Sequence, residues 1–135
     1  MKEWTGKAIV GNIPKVKAFV DEQLVALTCP SKARLQIKTA IDALFGNIVS
    51  YAYGDTPGDA VVHFDFDDAE RLVVITFVDH GIPFNPLQKP EPDTSLAIED
   101  RKIGGLGIFI VRKTMDDLIY VRENDRNVLT LRKRI

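Results

Sequence analysis

The sequence has one cysteine, Cys29. An internal disulfide and any paired-thiolate metal or redox motif are thereby excluded, and a reducing compartment is favoured. Nor is there an apolar run approaching the roughly 20 residues that span a bilayer. The start, Met1-Lys-Glu-Trp-Thr-Gly-Lys7, lacks the apolar centre of a signal peptide. These absences predict a cytoplasmic protein with no membrane partner. An excess of one charge is missing too. Lys+Arg number 18 and Asp+Glu 19, for a formal net charge of -1. That leaves no footprint for direct nucleic-acid binding and no acidic tail. What is present is a chain of 135 residues, 45% hydrophobic and 27% charged. It suffices for one domain, residues 1–135, with a real core.

The most informative stretch is Leu72-Val-Val-Ile-Thr-Phe-Val-Asp-His-Gly-Ile-Pro-Phe84. Its first seven residues are β-branched or apolar, the length and composition of a buried strand. The run stops at Asp79, and Gly81 and Pro83 break regular structure after it. An acidic side chain is therefore expected at the end of a rigid strand, before a turn that a ligand can approach closely. Asp also starts ordinary turns, so this stretch alone does not separate a site from a bend.

The preceding chain reads in order. Residues 7–13 suggest a short edge strand, and Pro14 suits the first turn of a helix. Val16, Phe19, Val20, Leu24 and Leu27 recur at helical spacing to about Thr28. Ser31 suits the N-cap of a second helix over about 32–53. Its apolar stripe is Ile37, Ile41, Leu44, Phe45, Ile48, Val49 and Ala52. Asn47 lies at the rim of that stripe, in line with Ala43 and Tyr51 at i−4 and i+4. It is either a satisfied structural amide or a ligand for a cation or a phosphate-bound water. Residues 54–59 form a loop. Residues 60–67 alternate as a strand with His63 on its exposed face, and a tight turn should pair it as an antiparallel hairpin with 72–78.

Residues 85–102 hold three prolines and no apolar period, and read as a surface loop or a lid over a ligand, about 86–103. Gly104-Gly-Leu-Gly107 then opens a helix to about Met115, apolar nearly all round and expected to pack into the sheet layer. Glycines at a helix start let the free N–H groups approach an anion. Residues 117–121 and 128–132 read as two closing strands turning at Asn124-Asp-Arg-Asn127.

Taken together, three segments resemble motifs of the histidine-kinase-like ATPases with the Bergerat nucleotide fold, nearest to bacterial anti-sigma-factor serine/threonine kinases. Asn47-Ile-Val-Ser-Tyr-Ala-Tyr53 is similar to their N box. Val78-Asp-His-Gly-Ile-Pro-Phe84 and Gly104-Gly-Leu-Gly-Ile-Phe-Ile-Val111 are similar to their two glycine boxes. The resemblance implies a two-layer α/β sandwich, α+β in class, with helices on one face of a mixed, mainly antiparallel sheet. It implies ATP or ADP with Mg²⁺ as ligands. Asp79 would read the adenine amine, helped by a water that Thr130 also holds. Gly81 would let the base lie against the turn. Gly105, Leu106 and Gly107 would face the phosphates, Asn47 would coordinate Mg²⁺, and Arg101 or Lys102 in the lid would reach the terminal phosphate.

One departure bears on chemistry. The family's kinases carry a Glu four residues before the N-box Asn as catalytic base, and this chain has Ala43 there. Asp42 is about 100° around the helix from that face, and Tyr51 stands where relatives often carry His. The resemblance thus implies an ATP·Mg²⁺-binding regulator of the anti-sigma-factor type, with no catalytic residue assigned. Its partners would be a sigma factor or a STAS-domain anti-anti-sigma factor, with homodimerisation left open. The alternatives are an active serine/threonine kinase acting on a STAS-domain partner, and an interaction module that has lost nucleotide binding. No phospho-acceptor helix precedes the domain, which disfavours a sensor histidine kinase.

Overall fold

The computed structural model describes the backbone of residues 1–88 and 103–135, and the side chains of residues 1–88 and 107–135. Among the described residues five strands form one open sheet, β1 (Lys2–Lys7), β2 (Asp59–Asp67), β3 (Leu72–Asp79), β4 (Asp117–Glu123) and β5 (Arg126–Arg134), in the order β1-β2-β3-β5-β4. Every pairing is antiparallel, so no parallel pair occurs among the described residues of a sheet expected to be mixed and mainly antiparallel. Helices α1 (Ile13–Ala26), α2 (Ser31–Asn47) and α3 (Ile103–Thr114) cover one face, giving the α+β two-layer sandwich.

Alternation along the strands explains the two faces. Val62, Phe64, Val73, Ile75, Phe77, Leu129 and Leu131 are buried against the helical layer. They meet Val16, Val20 and Leu24 of α1 and Ile37, Ile41, Leu44 and Phe45 of α2. Trp4 closes the β1 edge with its ring edge-to-face on Phe45, centroids 5.7 Å apart. The residues between them point to the other face, where His63 meets Glu3 at 3.1 Å and Thr76 meets Thr130.

Several boundaries differ from the sequence reading. The edge strand is Lys2–Lys7, not 7–13. After it the chain turns inward: Ala8 N–H donates to the Gly58 carbonyl at 2.9 Å, Asn12 Nδ2 donates to the Lys7 carbonyl at 2.8 Å, and Val10–Asn12 winds as a 3₁₀ turn into α1. Pro30, not Ser31, stands at the N-cap of α2. Helix α2 ends at Asn47 and continues as a π-helical turn, Ile48–Ala52. Helix α3 lies in the helical layer, where its Gly107 meets Ala43 of α2, rather than in the sheet layer. It buries Ile108 and Val111 and leaves Ile110 exposed. The closing hairpin turns on Asn124-Asp125 alone, both at positive φ, the backbone of a two-residue hairpin turn. Cys29 is buried beside α1, and burial pushes its thiol pKa up.

Helices α1 and α2 are tied by a forked ion pair: Arg34 Nε and Nη2 donate to Asp21 Oδ1 and Oδ2, each at 3.0 Å. The Arg34 hydrogen bond holds the Asp21 carboxyl below its ordinary range. A depressed carboxylate stabilises the fold above its unfolded-state pKa of about 3.9, and that stability is lost as pH falls through the lower folded value. Wild type should therefore exceed Asp21→Asn in stability at pH 6, and the gap should shrink below about pH 4. Urea unfolding at both pH values measures it. A gap independent of pH would assign Asp21 no electrostatic role.

Candidate functional site

At one end of the sheet, the last residue of β3 and the last residue of α2 open onto the same cleft. Its walls include Leu44, Ile48, Phe77, Phe84 and Leu129, with Asp79, Asn47 and Asn127 as the polar groups. All three polar side chains are buried, Asp79 at 3%, Asn127 at 5% and Asn47 at 6% exposure. Burial of a carboxylate is tolerated only where it is hydrogen-bonded. Asp79 Oδ1 accepts from Gly81 N–H and from Asn127 Nδ2, both at 2.9 Å. Among the described residues Oδ2 accepts nothing, and Asp79 lines the cleft.

Asn47 behaves differently. Its Nδ2 is buried with no hydrogen-bond partner among the described residues. An orphaned buried polar atom calls for an explanation, and a ligand in the cleft is one. A half-turn of the amide exchanges its oxygen and nitrogen, so the group can offer a hard oxygen donor to a cation. The π-helical turn starts at the next residue, Ile48. Within that turn Tyr51 stacks on Phe84, ring centroids 5.0 Å apart.

Gly81 makes a close approach within the protein itself. A Cβ there would lie 2.0 Å from the Ala52 carbonyl oxygen, and Ile82 N–H donates to that same oxygen at 2.8 Å. The missing side chain lets the turn after β3 press on the π-helical turn, which joins the Asp79 end of the sheet to the Asn47 end of α2. The Gly81 carbonyl in turn accepts from Arg122 Nη1 at 2.8 Å. Tyr53 fixes the same turn: its hydroxyl accepts from His80 N–H at 2.9 Å and donates to the Asp59 carbonyl at 2.6 Å. Burial raises the Tyr53 phenol pKa, which keeps it a donor.

Thr130 is a correction. It faces Thr76 on the side of the sheet away from the helices, hydroxyl oxygens 3.4 Å apart, and cannot share a water with Asp79. The two-residue period of β5 puts Asn127, Leu129 and Leu131 on the cleft side. Asn127 sits directly across from Asp79 and takes the place assigned to Thr130. Sequence reasoning missed it, although a polar residue in phase with Leu129 and Leu131 was the signal.

Gly105 and Leu106 fall in the first turn of α3 and Gly107 just after it. Free N–H groups stand at such a helix start. A Cβ on Gly107 would lie 3.0 Å from that of Ala43, so α3 rests on the helical turn of α2 just before Asn47. Asp42 points to α1, where its carboxylate pairs with Lys17 at 3.0 Å. Arg101, Lys102 and most of the expected lid lie outside the described residues; only its start, Pro86–Gln88, is described, as a 3₁₀ turn. No helix among the described residues is long and apolar enough to cross a membrane.

The glycine contacts make a paired prediction. Gly81→Ala should destabilise by about 1–3 kcal/mol, because backbone must move to admit the methyl. Gly46→Ala, near the end of α2 where the helical winding continues into Ile48–Ala52 and nothing lies within 4 Å, should stabilise by about 0.5–1 kcal/mol. Chemical denaturation of both variants decides it. Equal effects would mean that the contact of the two turns is not close in solution.

Comparison with known proteins follows the same geometry. Residues 7–133 match the family described as the histidine kinase-like ATPase domain. The serine/threonine-protein kinase BtrW of Bordetella bronchiseptica is 31% identical over 102 residues, 75% of this chain and 70% of its own length. The serine-protein kinases RsbW of Bacillus thuringiensis and Bacillus cereus are each 30% identical over 97 residues, 69% of this chain. The match spans 59% of those two proteins, less than two thirds of their length.

Proposed function

The chain belongs to the histidine kinase-like ATPase domain family, and on that premise we propose that it is an adenine-nucleotide-binding regulator of protein partners that transfers phosphate poorly. Residues 1–135 act as a single cytoplasmic domain. The observation that carries the reading is the cleft itself: it is lined by a buried carboxylate with one oxygen uncommitted and by a buried amide whose nitrogen has no partner, both among the described residues. An exocyclic amine answers the first and a phosphate-bound cation the second.

Roles follow from these groups. Asp79 Oδ2 accepts from the adenine amine. Asn47 holds Mg²⁺ through its carboxamide oxygen, the Mg²⁺ being what neutralises the phosphate charge. The amides at the start of α3, around Gly105, Leu106 and Gly107, meet the phosphates, with Arg101 or Lys102 at the terminal one. The apolar walls receive the base and exclude water. ATP and ADP are the ligands, and a sigma factor or a STAS-domain antagonist is the class of partner, with homodimerisation as a further assembly.

Weak phosphoryl transfer follows from what surrounds Asn47. Such transfer uses a carboxylate to align and deprotonate the hydroxyl. Ala43 supplies none, and its methyl is occupied against Gly107. Asp42 is committed to Lys17 and faces away. The second reading, an active serine/threonine kinase, is favoured by the activity in the relatives' names and requires a base from elsewhere in the chain.

Calorimetry tests the binding reading. ATP and ADP should bind the wild type, and Asp79→Asn should weaken both about ten- to a hundredfold, the worth of a hydrogen bond to a charged group. Unchanged affinity would reduce Asp79 to a turn residue. Radiolabel transfer from ATP to a STAS-domain partner tests the chemistry. Loss of a general base typically costs about 10²–10⁴-fold, so wild-type transfer should barely exceed background. Rapid stoichiometric transfer would establish the kinase instead.

A further inference from the structure

Asn127 is the most heavily committed side chain of the cleft. Its Nδ2 donates to Asp79 Oδ1 at 2.9 Å and to the Ile82 carbonyl at 2.8 Å. Its Oδ1 accepts from Phe84 N–H at 3.3 Å and from the Tyr120 hydroxyl. Both donor hydrogens and both acceptor sites of the amide are thus in use. Asn127 has nothing left to offer a ligand, so any influence on one passes through its partners.

The partner that matters is Asp79. With Gly81 N–H and Asn127 Nδ2 on the same oxygen, Oδ1 is filled and the carboxylate cannot rotate without breaking two hydrogen bonds. Both partners are buried, Asp79 at 3% and Asn127 at 5% exposure. The surrounding shell also holds: Tyr120 anchors the amide from β4, and Arg122 holds the Gly81 carbonyl from the same strand.

We infer that Asn127 is a positioning residue that sets the base selectivity of the cleft, by fixing Asp79 so that Oδ2 alone meets the ligand as an acceptor. The inference rests on the adenine-nucleotide reading above and deepens it. A fixed acceptor favours a base with an exocyclic amine at that point, as in adenine. It rejects one with a carbonyl there, as in hypoxanthine or guanine, because two acceptors would then face each other with no proton between them. Freed from Asn127, the carboxylate can turn away, so the favoured base loses a hydrogen bond and the disfavoured one loses a repulsion.

The test is the ratio of ATP to ITP affinity, because inosine exchanges the exocyclic amine for a carbonyl and otherwise differs only by a hydrogen on the neighbouring ring nitrogen. Wild type should prefer ATP by at least about tenfold. Asn127→Val should bring the ratio below about threefold, and Asn127→Asp, which keeps the shape and exchanges the donor for an acceptor, should do the same. Asn127→Thr, which has the shape of valine with a hydroxyl donor restored, should keep the ratio within about threefold of wild type. Melting curves confirm that each variant is folded. A purely structural Asn127 would lower both affinities together and leave the ratio intact in the valine and aspartate variants, which overturns the inference alone. A wild type that binds ATP and ITP equally, or neither, overturns the adenine reading and this inference with it.

Discussion

The hydrogen bond from Asn127 Nδ2 to Asp79 Oδ1 joins the ends of two paired strands, β5 and β3, and through the same amide reaches the backbone of Ile82 and Phe84 and the hydroxyl of Tyr120. It converts a bend after a strand into a rigid cradle. A carboxyl group at 3% exposure is accommodated because one of its oxygens accepts hydrogen bonds from two donors at the lining of the cleft. Everything else at this end of the molecule meets that cradle. The π-helical turn touches it through the Ala52 carbonyl, which requires Gly81 to have no side chain. Helix α2 delivers Asn47 to it, and β4 braces it with Tyr120 and Arg122.

The helical layer shows how one small residue changes what a site can do. Ala43 and Gly107 let α2 and α3 approach to van der Waals contact. The gain is a firm seat for the glycine-rich start of α3 beside Asn47. The position one helical turn before Asn47 is in consequence a methyl group against a neighbouring helix, with no polar atom to offer. Asp42, the acid next to it, is turned by the helical period toward Lys17 on α1.

Much of this was legible in the sequence because it depends on local pattern. The two hairpins, the stop of β3 at Asp79 and the helical stripes of α1 and α2 followed from periods of two and 3.6 and from turn residues. What was not legible depends on meetings between distant segments. That Gly81 presses on Ala52 is a contact across 29 positions of chain that no spacing rule reveals. The π-helical turn after Asn47 departs from the 3.6-residue period with which this helix was read to its end. Thr130 failed for a simpler reason: a strand residue is committed to one face by its phase, and Thr130 is out of phase with Leu129 and Leu131. The edge strand was misplaced because Ile9 and Val10 are apolar yet exposed in a 3₁₀ turn, while Lys2–Lys7, rich in lysine, pairs as the edge.

The buried thiol beside α1 has a practical meaning. Cys29 is 8% exposed, its sulfur is 3.6 Å from the Pro30 carbonyl, and burial keeps it protonated. A shielded thiol in that state reacts slowly with alkylating reagents, since the thiolate is the nucleophile. Toward such reagents the native chain behaves as though it had no cysteine at all. A cysteine added on an open surface would take up a fluorophore or spin label alone, and the movements of that one point could be followed without first removing a side chain from the core.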